Sequence, residues 1–193
     1  MRGCECWTFS QQSLSGRSRP RPEPLVKASS IAPVTDGPFL EDFKVGDVSR
    51  SAAGRTITQA DNIWFSLLTN NQNPIHIDAH YASTTEFKRP LVNSVFTIGV
   101  VTGLMVPHTS QNGFALGWDE VKLPNPLFEG DTLYADSEVL DTRESRSRKG
   151  WGIVKVRQRG FKPDGTVVLV MTRSFMVPTR AAAPRREPPS PRD

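Results

Sequence analysis

Apolar positions along the chain change period once, near residue 112, and the change divides the predicted elements into a helical half and a strand half. Before it, Ile63, Trp64, Phe65, Leu67 and Leu68 recur at helical spacing behind Thr58. Thr58 is a good N-cap, with Asp61 at the third helical position as a capping-box acid. This one-sided apolar helix is expected to stop near Asn70-Asn71, and a short helical turn over 79–82 follows. The longest helix signal spans 94 to about 106 and carries Val95, Phe96, Ile98, Val100, Val101, Leu104 and Met105. It is apolar on nearly all sides, the pattern of a buried central helix. Gly99 and Gly103 within it each cost about 1 kcal/mol relative to alanine in an exposed host. They therefore predict a neighbour, such as a curved sheet, pressed close to the backbone. After Gln111-Asn112-Gly113 the period becomes two, with candidate strands over 114–121, 132–141, 152–159 and 167–176. Pro163-Asp164-Gly165 fits a hairpin between the last pair. Helices followed by an antiparallel meander predict an α+β layer, the last strands being long enough to wrap around a buried helix.

Composition changes this picture mainly at the two ends. The chain has 193 residues and a net charge of +4. Residues 1–35 hold five basic and two acidic groups, residues 178–193 hold four and two, and the middle carries 15 and 16, a net of −1. Both ends are rich in Pro and Arg and offer little apolar surface to offset ordering entropy. Residues 1–35 and 178–193 are thus expected to be disordered, around one globular domain over 36–177. The near-neutral body has no basic groove interleaved with aromatics, which argues against nucleic acid. No run of 18 apolar residues exists, which excludes a membrane-spanning helix. Cys4 and Cys6, the only cysteines, lie in the N-terminal tail, so the body needs no disulfide, and a reducing, cytoplasmic setting fits. Cys-x-Cys far from His76 makes a poor tetrahedral zinc site, so no metal is expected. The Arg/Ser/Pro-rich, acid-poor start gives an organellar presequence within residues 1–30 as a second reading.

The candidate chemistry lies in Asn71-Gln72-Asn73-Pro74-Ile75-His76-Ile77-Asp78 and Arg89-Pro90-Leu91-Val92-Asn93-Ser94. The first puts a histidine among amides in a turn after a helix; the second opens the long helix and brings backbone N–H groups. A proton carrier near pH 7 beside a helix N-terminus suits chemistry on a carbonyl or thioester. Asn73 beside Pro74 reads best as a turn former, and Asp78 as the cap of the 79–82 turn.

Three segments together resemble the MaoC-like hydratase/dehydratase family of the hot-dog fold. The stretch Leu68 to Asp78 matches its helix end and Asn-Pro-x-His-x-Asp element. Phe87-Lys88-Arg89-Pro90-Leu91-Val92-Asn93-Ser94 matches the start of its central helix, and Pro126-Leu127-Phe128-Glu129-Gly130-Asp131-Thr132-Leu133 matches the lead into its long strand. The resemblance covers 39–177. It implies a single α+β hot-dog fold, with a curved antiparallel sheet wrapped around a long central helix. It further implies a homodimer or higher homo-oligomer with acyl-CoA at the seam, the coenzyme being part of the substrate rather than a cofactor. Carried across by position, His76 matches the catalytic histidine, Asn71 the catalytic aspartate, and Ser94 the glycine whose N–H receives the thioester oxygen. Asn93 and Asn73 are expected to line the substrate, and Thr102 matches a site-lining serine. The chain departs from the family at Asn71, since an amide orients water but accepts no proton, and at Asn93-Ser94 in place of His-Gly.

These departures, with Arg143-Glu144-Ser145-Arg146-Ser147-Arg148, resemble a subgroup around mesaconyl-CoA hydratase and β-methylmalyl-CoA dehydratase, acting on branched dicarboxylyl-CoA esters. Continued strand alternation sets Arg143, Ser145 and Ser147 on one face and Glu144, Arg146 and Arg148 on the other. Arg146 or Arg148 is the candidate for CoA phosphates or a second substrate carboxylate. Two other readings stay open. One is a non-catalytic acyl-CoA-binding or partner subunit, for which Asn71 speaks; the other is a hot-dog thioesterase, for which the loop offers only Asp78 as carboxylate.

Overall fold

The computed structural model describes residues 37–184, so the extension over 1–35 lies outside the described residues. The elements run β1 (Val48–Arg50), β2 (Arg55–Thr56), α1 (Gln59–Leu68), α2 (Pro74–Ile77), α3 (Ala79–Thr84), α4 (Ser94–Met105), β3 (Phe114–Lys122), β4 (Thr132–Glu144), β5 (Trp151–Phe161) and β6 (Val167–Pro178). The sheet is antiparallel in the order β1-β4-β5-β6-β3, with β2 also paired to β4. The meander β4–β5–β6 is thus the expected one, and its strands alternate as the period-two pattern requires. Arg180, just after β6, donates to both oxygens of Asp42, in a 3₁₀ turn before β1, at 2.7 and 2.8 Å.

The helices lie on one face of this sheet. Ile57, Val92, Val101, Met105, Leu133 and Leu169 are among the residues of one apolar cluster beneath α4, and Phe43, Val139, Val154, Val156, Phe175 and Val177 form a second. Close approach is permitted from the sheet side, at Gly160 on β5. A Cβ there would sit 2.4 Å from Cγ2 of Val101, a short, stiff side chain with little room to yield.

The expected long central helix within a wrapped, curved sheet is not what forms. α4 has 12 residues and passes directly into a 3₁₀ turn of three, Val106–His108. Pro107 lacks the N–H that another helical turn would need, which stops the helix there. The sheet is open, with β1 and β3 at its edges. It covers one side of α4, where Thr97, Val101 and Met105 are buried, and leaves Val95 59% exposed on the other. Nor does a neighbour press on Gly99 or Gly103: a Cβ at either position meets nothing within 4 Å. An all-round apolar sequence demands cover on every side, and this domain supplies it on one. What remains is a hot-dog-like α+β layer with a short helix and an unclosed sheet. Strand alternation also stops earlier than expected, because β4 ends at Glu144 and residues 145–150 form the hairpin loop. Among the described residues no helix is long and apolar enough to cross a membrane.

Candidate functional site

The site is organised by α1, and by its polar side. Thr58 caps the helix with Asp61 in a reciprocal capping box. The Thr58 N–H and hydroxyl hold the Asp61 carboxyl below its ordinary pKa. At the other end Asn70, at φ 53°, takes the left-handed position that terminates α1. The Asn70 N–H returns to Leu67 O at 3.1 Å and the Asn71 N–H to Ser66 O at 2.8 Å, closing a Schellman turn that fixes where Asn71 leaves the helix. The buried residues of α1 are Asn62 and Ser66, one turn apart, while Trp64, Leu67 and Leu68 stand exposed.

Asn62 joins three segments. Its Nδ2 donates to the carbonyls of His76 at 2.9 Å and Leu91 at 3.1 Å, and its Oδ1 accepts the Asn93 N–H at 2.8 Å. Ser66 completes the link by accepting Asn93 Nδ2 on its hydroxyl at 3.3 Å. Neither residue was singled out from the sequence. The available signal was two polar side chains four apart in an apolar helix, which is one face of it.

His76 lies on α2, a single turn opened by Pro74 and capped by Asn73, whose Oδ1 accepts the Ile75 N–H at 3.2 Å. Asn71 Oδ1 in turn accepts the Asn73 N–H at 3.1 Å, so the amides act in relay to shape the turn. The His76 ring is buried, with Nδ1 2.8 Å from Leu91 O. A carbonyl only accepts, so Nδ1 carries the proton in this bond, and Nε2 of the neutral ring is left as the basic nitrogen. Asp78 caps α3 by accepting the Tyr81 N–H at 3.0 Å.

The start of α4 is held from both sides. Leu91 N–H bonds Ile75 O at 3.0 Å, and Val92 N–H bonds Leu127 O at 2.9 Å. Asn93 is the N-cap, its Oδ1 accepting Val95 N–H at 3.0 Å. With Asn62 and Ser66 on its other groups, Asn93 is engaged within the protein on N–H, Oδ1 and Nδ2 alike. Ser94, the first helical residue, keeps an N–H with no acceptor among the described residues, as geometry requires at a helix start. It borders a cavity of about 280 Å³ that Leu91, Thr97 and Pro126 also line.

Through Asn62 and Ser66, α1 thus holds the His76 carbonyl, the Asn71 N–H and the Asn93 cap, while the cavity beside Ser94 is lined by neither His76 nor Asn71. Thr102 stands two turns further along α4, its Oγ1 without a partner among the described residues, in an apolar cavity with Phe65, Ile98 and Trp118. Arg146 and Arg148 are in the β4–β5 hairpin, at the far end of β4 from the segment that lines the Ser94 cavity. Arg148 is stacked on Trp151, 4.1 Å from the ring centroid. Arg89 stacks on Phe128 at 4.0 Å. No cluster of three metal-ligating side chains occurs among the described residues.

A family model described as MaoC like domain matches residues 42–158. Among curated proteins, the chain is 32% identical over 157 residues to a mesaconyl-CoA hydratase of Cereibacter sphaeroides, covering 80% of this chain and 46% of that protein. It is 30% identical over 150 residues to a β-methylmalyl-CoA dehydratase of Chloroflexus aurantiacus, covering 77% and 42%. The chain thus spans about half the length of the curated relatives it matches. A solved MaoC-like dehydratase from Rhodospirillum rubrum superposes with a TM-score of 0.66 at 28% identity, over 75% of this chain and 99% of that one.

Proposed function

The chain belongs to the MaoC-like domain family, and from that membership we propose that it is a hydro-lyase, adding water to or removing it from the α–β bond of a short acyl-CoA thioester. The observation that supports this reading is the Asn62–Ser66 pair, which hydrogen-bonds the His76 carbonyl, the Asn71 N–H and the Asn93 cap of the helix that Ser94 opens. In the dehydration direction, His76 Nε2 takes the α-proton. The electron pair of the C–H bond forms the C=C as the Cβ–O bond breaks, and the departing hydroxyl leaves as water with the proton His76 has taken. The Ser94 N–H, at the positive end of α4, receives the charge that builds on the thioester oxygen; losing such a donor typically costs about 3 kcal/mol. Asn71 holds the water or hydroxyl, and Asn93 positions the helix start. Likeness to the mesaconyl-CoA and β-methylmalyl-CoA enzymes supports branched dicarboxylyl esters as the acyl class.

Asn71 favours a second reading, a unit that binds acyl-CoA without turning it over. Turnover by the parent chain separates the two, and the Asn71→Asp variant then tests what the amide does. A carboxylate keeps the acceptor that Asn73 N–H needs and adds a base, so kcat is expected to rise by about tenfold or more with KM little changed. A fall in kcat would mean that the amide is the group this site is built around. Hydrolysis of the thioester is disfavoured because Asp78, the loop's carboxylate, is occupied as a cap.

The reading includes a second copy of the chain. β3 is an edge strand that exposes Phe114, Leu116, Trp118 and Val121, next to the uncovered side of α4. Relatives of about twice this length have room for a second such unit in one chain. Antiparallel pairing across β3 sets the Phe114 end of one copy, where Arg148 and Trp151 stack, beside the other copy's 122–126 segment below Ser94. Arg146 then reaches CoA phosphates in trans. Sedimentation at micromolar concentration is expected to give twice the chain mass; a monomer would remove this part of the reading.

A further inference from the structure

The β4–β5 hairpin closes on residues 145–150, a loop held in shape by local hydrogen bonds. Ser145 N–H donates to Trp151 O at 2.7 Å, Trp151 N–H to Arg148 O at 3.2 Å, and Arg148 N–H to Ser145 Oγ at 3.1 Å. Gly150 has a φ of 76°, and its carbonyl accepts the Thr179 N–H at 2.8 Å. A Cβ at Gly150 would be strained by that φ and would meet Ala182 Cβ at 2.7 Å. The loop is thus set before any ligand arrives, which lowers the ordering cost of binding.

Beside it lies a cavity of about 440 Å³, lined by Arg146, Ser147, Lys149, Gly150 and Trp151 from the hairpin and by Thr179 after β6. It shares no lining residue with the Ser94 cavity. Neither Arg146 nor Lys149 has an ion-pair partner among the described residues. The N–H groups of Arg146, Ser147, Lys149 and Gly150 likewise have no acceptor among the described residues. Glu144 also lines the cavity, so two cations against one carboxylate leave the lining positive. Arg148 is engaged elsewhere: its guanidinium stacks 4.1 Å from the Trp151 centroid and 5.6 Å from that of Phe114, and it does not line the cavity. The sequence leaves Arg146 and Arg148 equivalent; the structure separates them and adds Lys149.

We infer that this cavity is a binding site for a phosphate monoester. Such a group brings three acceptor oxygens and a charge of about −1.5 to −2 at neutral pH. That suits an arginine fork, an ammonium and a loop of unaccepted N–H groups. A carboxylate, with two oxygens and one charge, leaves more of these donors unsatisfied. Trp151 offers an apolar wall to the organic part of the ester. The ester is the 3′-phosphate of CoA, an assignment that rests on the acyl-CoA reading proposed above; the other two phosphates of CoA form an internal diphosphate. With copies paired across β3, the hairpin of one holds the tail of the CoA whose thioester meets Ser94 of the other.

The test is calorimetric titration of the full chain, without any turnover, in two arms. In the first, adenosine 3′-phosphate is expected to bind saturably. Arg146→Ala and Lys149→Ala, both at exposed loop positions, should each weaken it about tenfold. Glu144→Gln should tighten it, an effect that a merely structural residue would not produce. Lys155→Ala, at an exposed ion pair, should bind as the parent does. No binding, or binding that neither the Arg146 nor the Lys149 variant weakens, would overturn the site. Inorganic phosphate binding as tightly as the nucleotide would overturn the ester and leave a free-anion site. In the second arm, CoA should bind about tenfold more tightly than 3′-dephospho-CoA, and Arg146→Ala should erase the difference. Equal binding of the two by the parent would overturn the CoA assignment. Neither arm needs hydration or dehydration to occur, so failure of the hydro-lyase reading shows separately, as unchanged thioesters in a turnover assay.

Discussion

Replacing His76 by glutamine is expected to leave the fold intact and slow enoyl-CoA hydration by about 10²–10⁴-fold, the range over which a positioned proton carrier contributes. The side-chain amide of glutamine can still donate to Leu91 O, the bond that now orients the ring, so the local scaffold keeps its partner. What is lost is a nitrogen able to take a proton and return it. Unfolding temperature and circular dichroism should match the parent while kcat collapses, and KM should move little because binding is not what the imidazole supplies. A variant that retained most of its turnover would reduce His76 to a structural residue in a proline turn.

The largest stability effect is expected at Asn62. Asn62→Leu preserves bulk but strands the Asn93 N–H and the His76 carbonyl in a buried setting, and removes one of two donors to Leu91 O. Each stranded group costs about 1–3 kcal/mol, so a loss of about 3 kcal/mol is expected from urea unfolding. Asn62→Asp is instructive beside it, because a carboxylate keeps the acceptor for Asn93 N–H and loses both donations. Each variant should also lower kcat, since one residue holds both the His76 loop and the start of α4. A destabilisation below about 1 kcal/mol for Asn62→Leu would mean that water replaces these bonds and that the hub is dispensable.

Local chemistry was the legible part of the chain. The Thr58–Asp61 box, the Asp78 cap and the strand period after residue 112 each depend on neighbours within a few residues, and each appears where the sequence predicts it. Facing was less legible. Trp64 and Leu68 are 67% and 78% exposed, while Asn62 and Ser66 on the same helix are buried. Hydrophobicity marks a surface that wants cover without saying whether this domain or a second one provides it. The same ambiguity produced the expectation of a wrapped central helix: α4 is apolar all round, yet its own sheet reaches one side only. The buried polar side chains of the sheet, Arg173, Gln158 and Ser137, were invisible for a different reason. They lie far apart in sequence and become neighbours only through strand register. His76, Asn71 and Ser94 were picked out by motif, whereas Asn62 and Ser66, which hydrogen-bond the His76 carbonyl, the Asn71 N–H and the Asn93 cap, carry no motif.

The most direct test of the central claim is mass analysis of the acyl-CoA pool after incubating the full chain with mesaconyl-CoA and crotonyl-CoA, beside the His76→Gln variant. A gain of one water in the acyl-CoA is expected, favouring mesaconyl-CoA and absent with the variant. Unchanged thioesters would contradict the hydro-lyase reading for these substrates, and release of free CoA would turn the same site into a thioesterase.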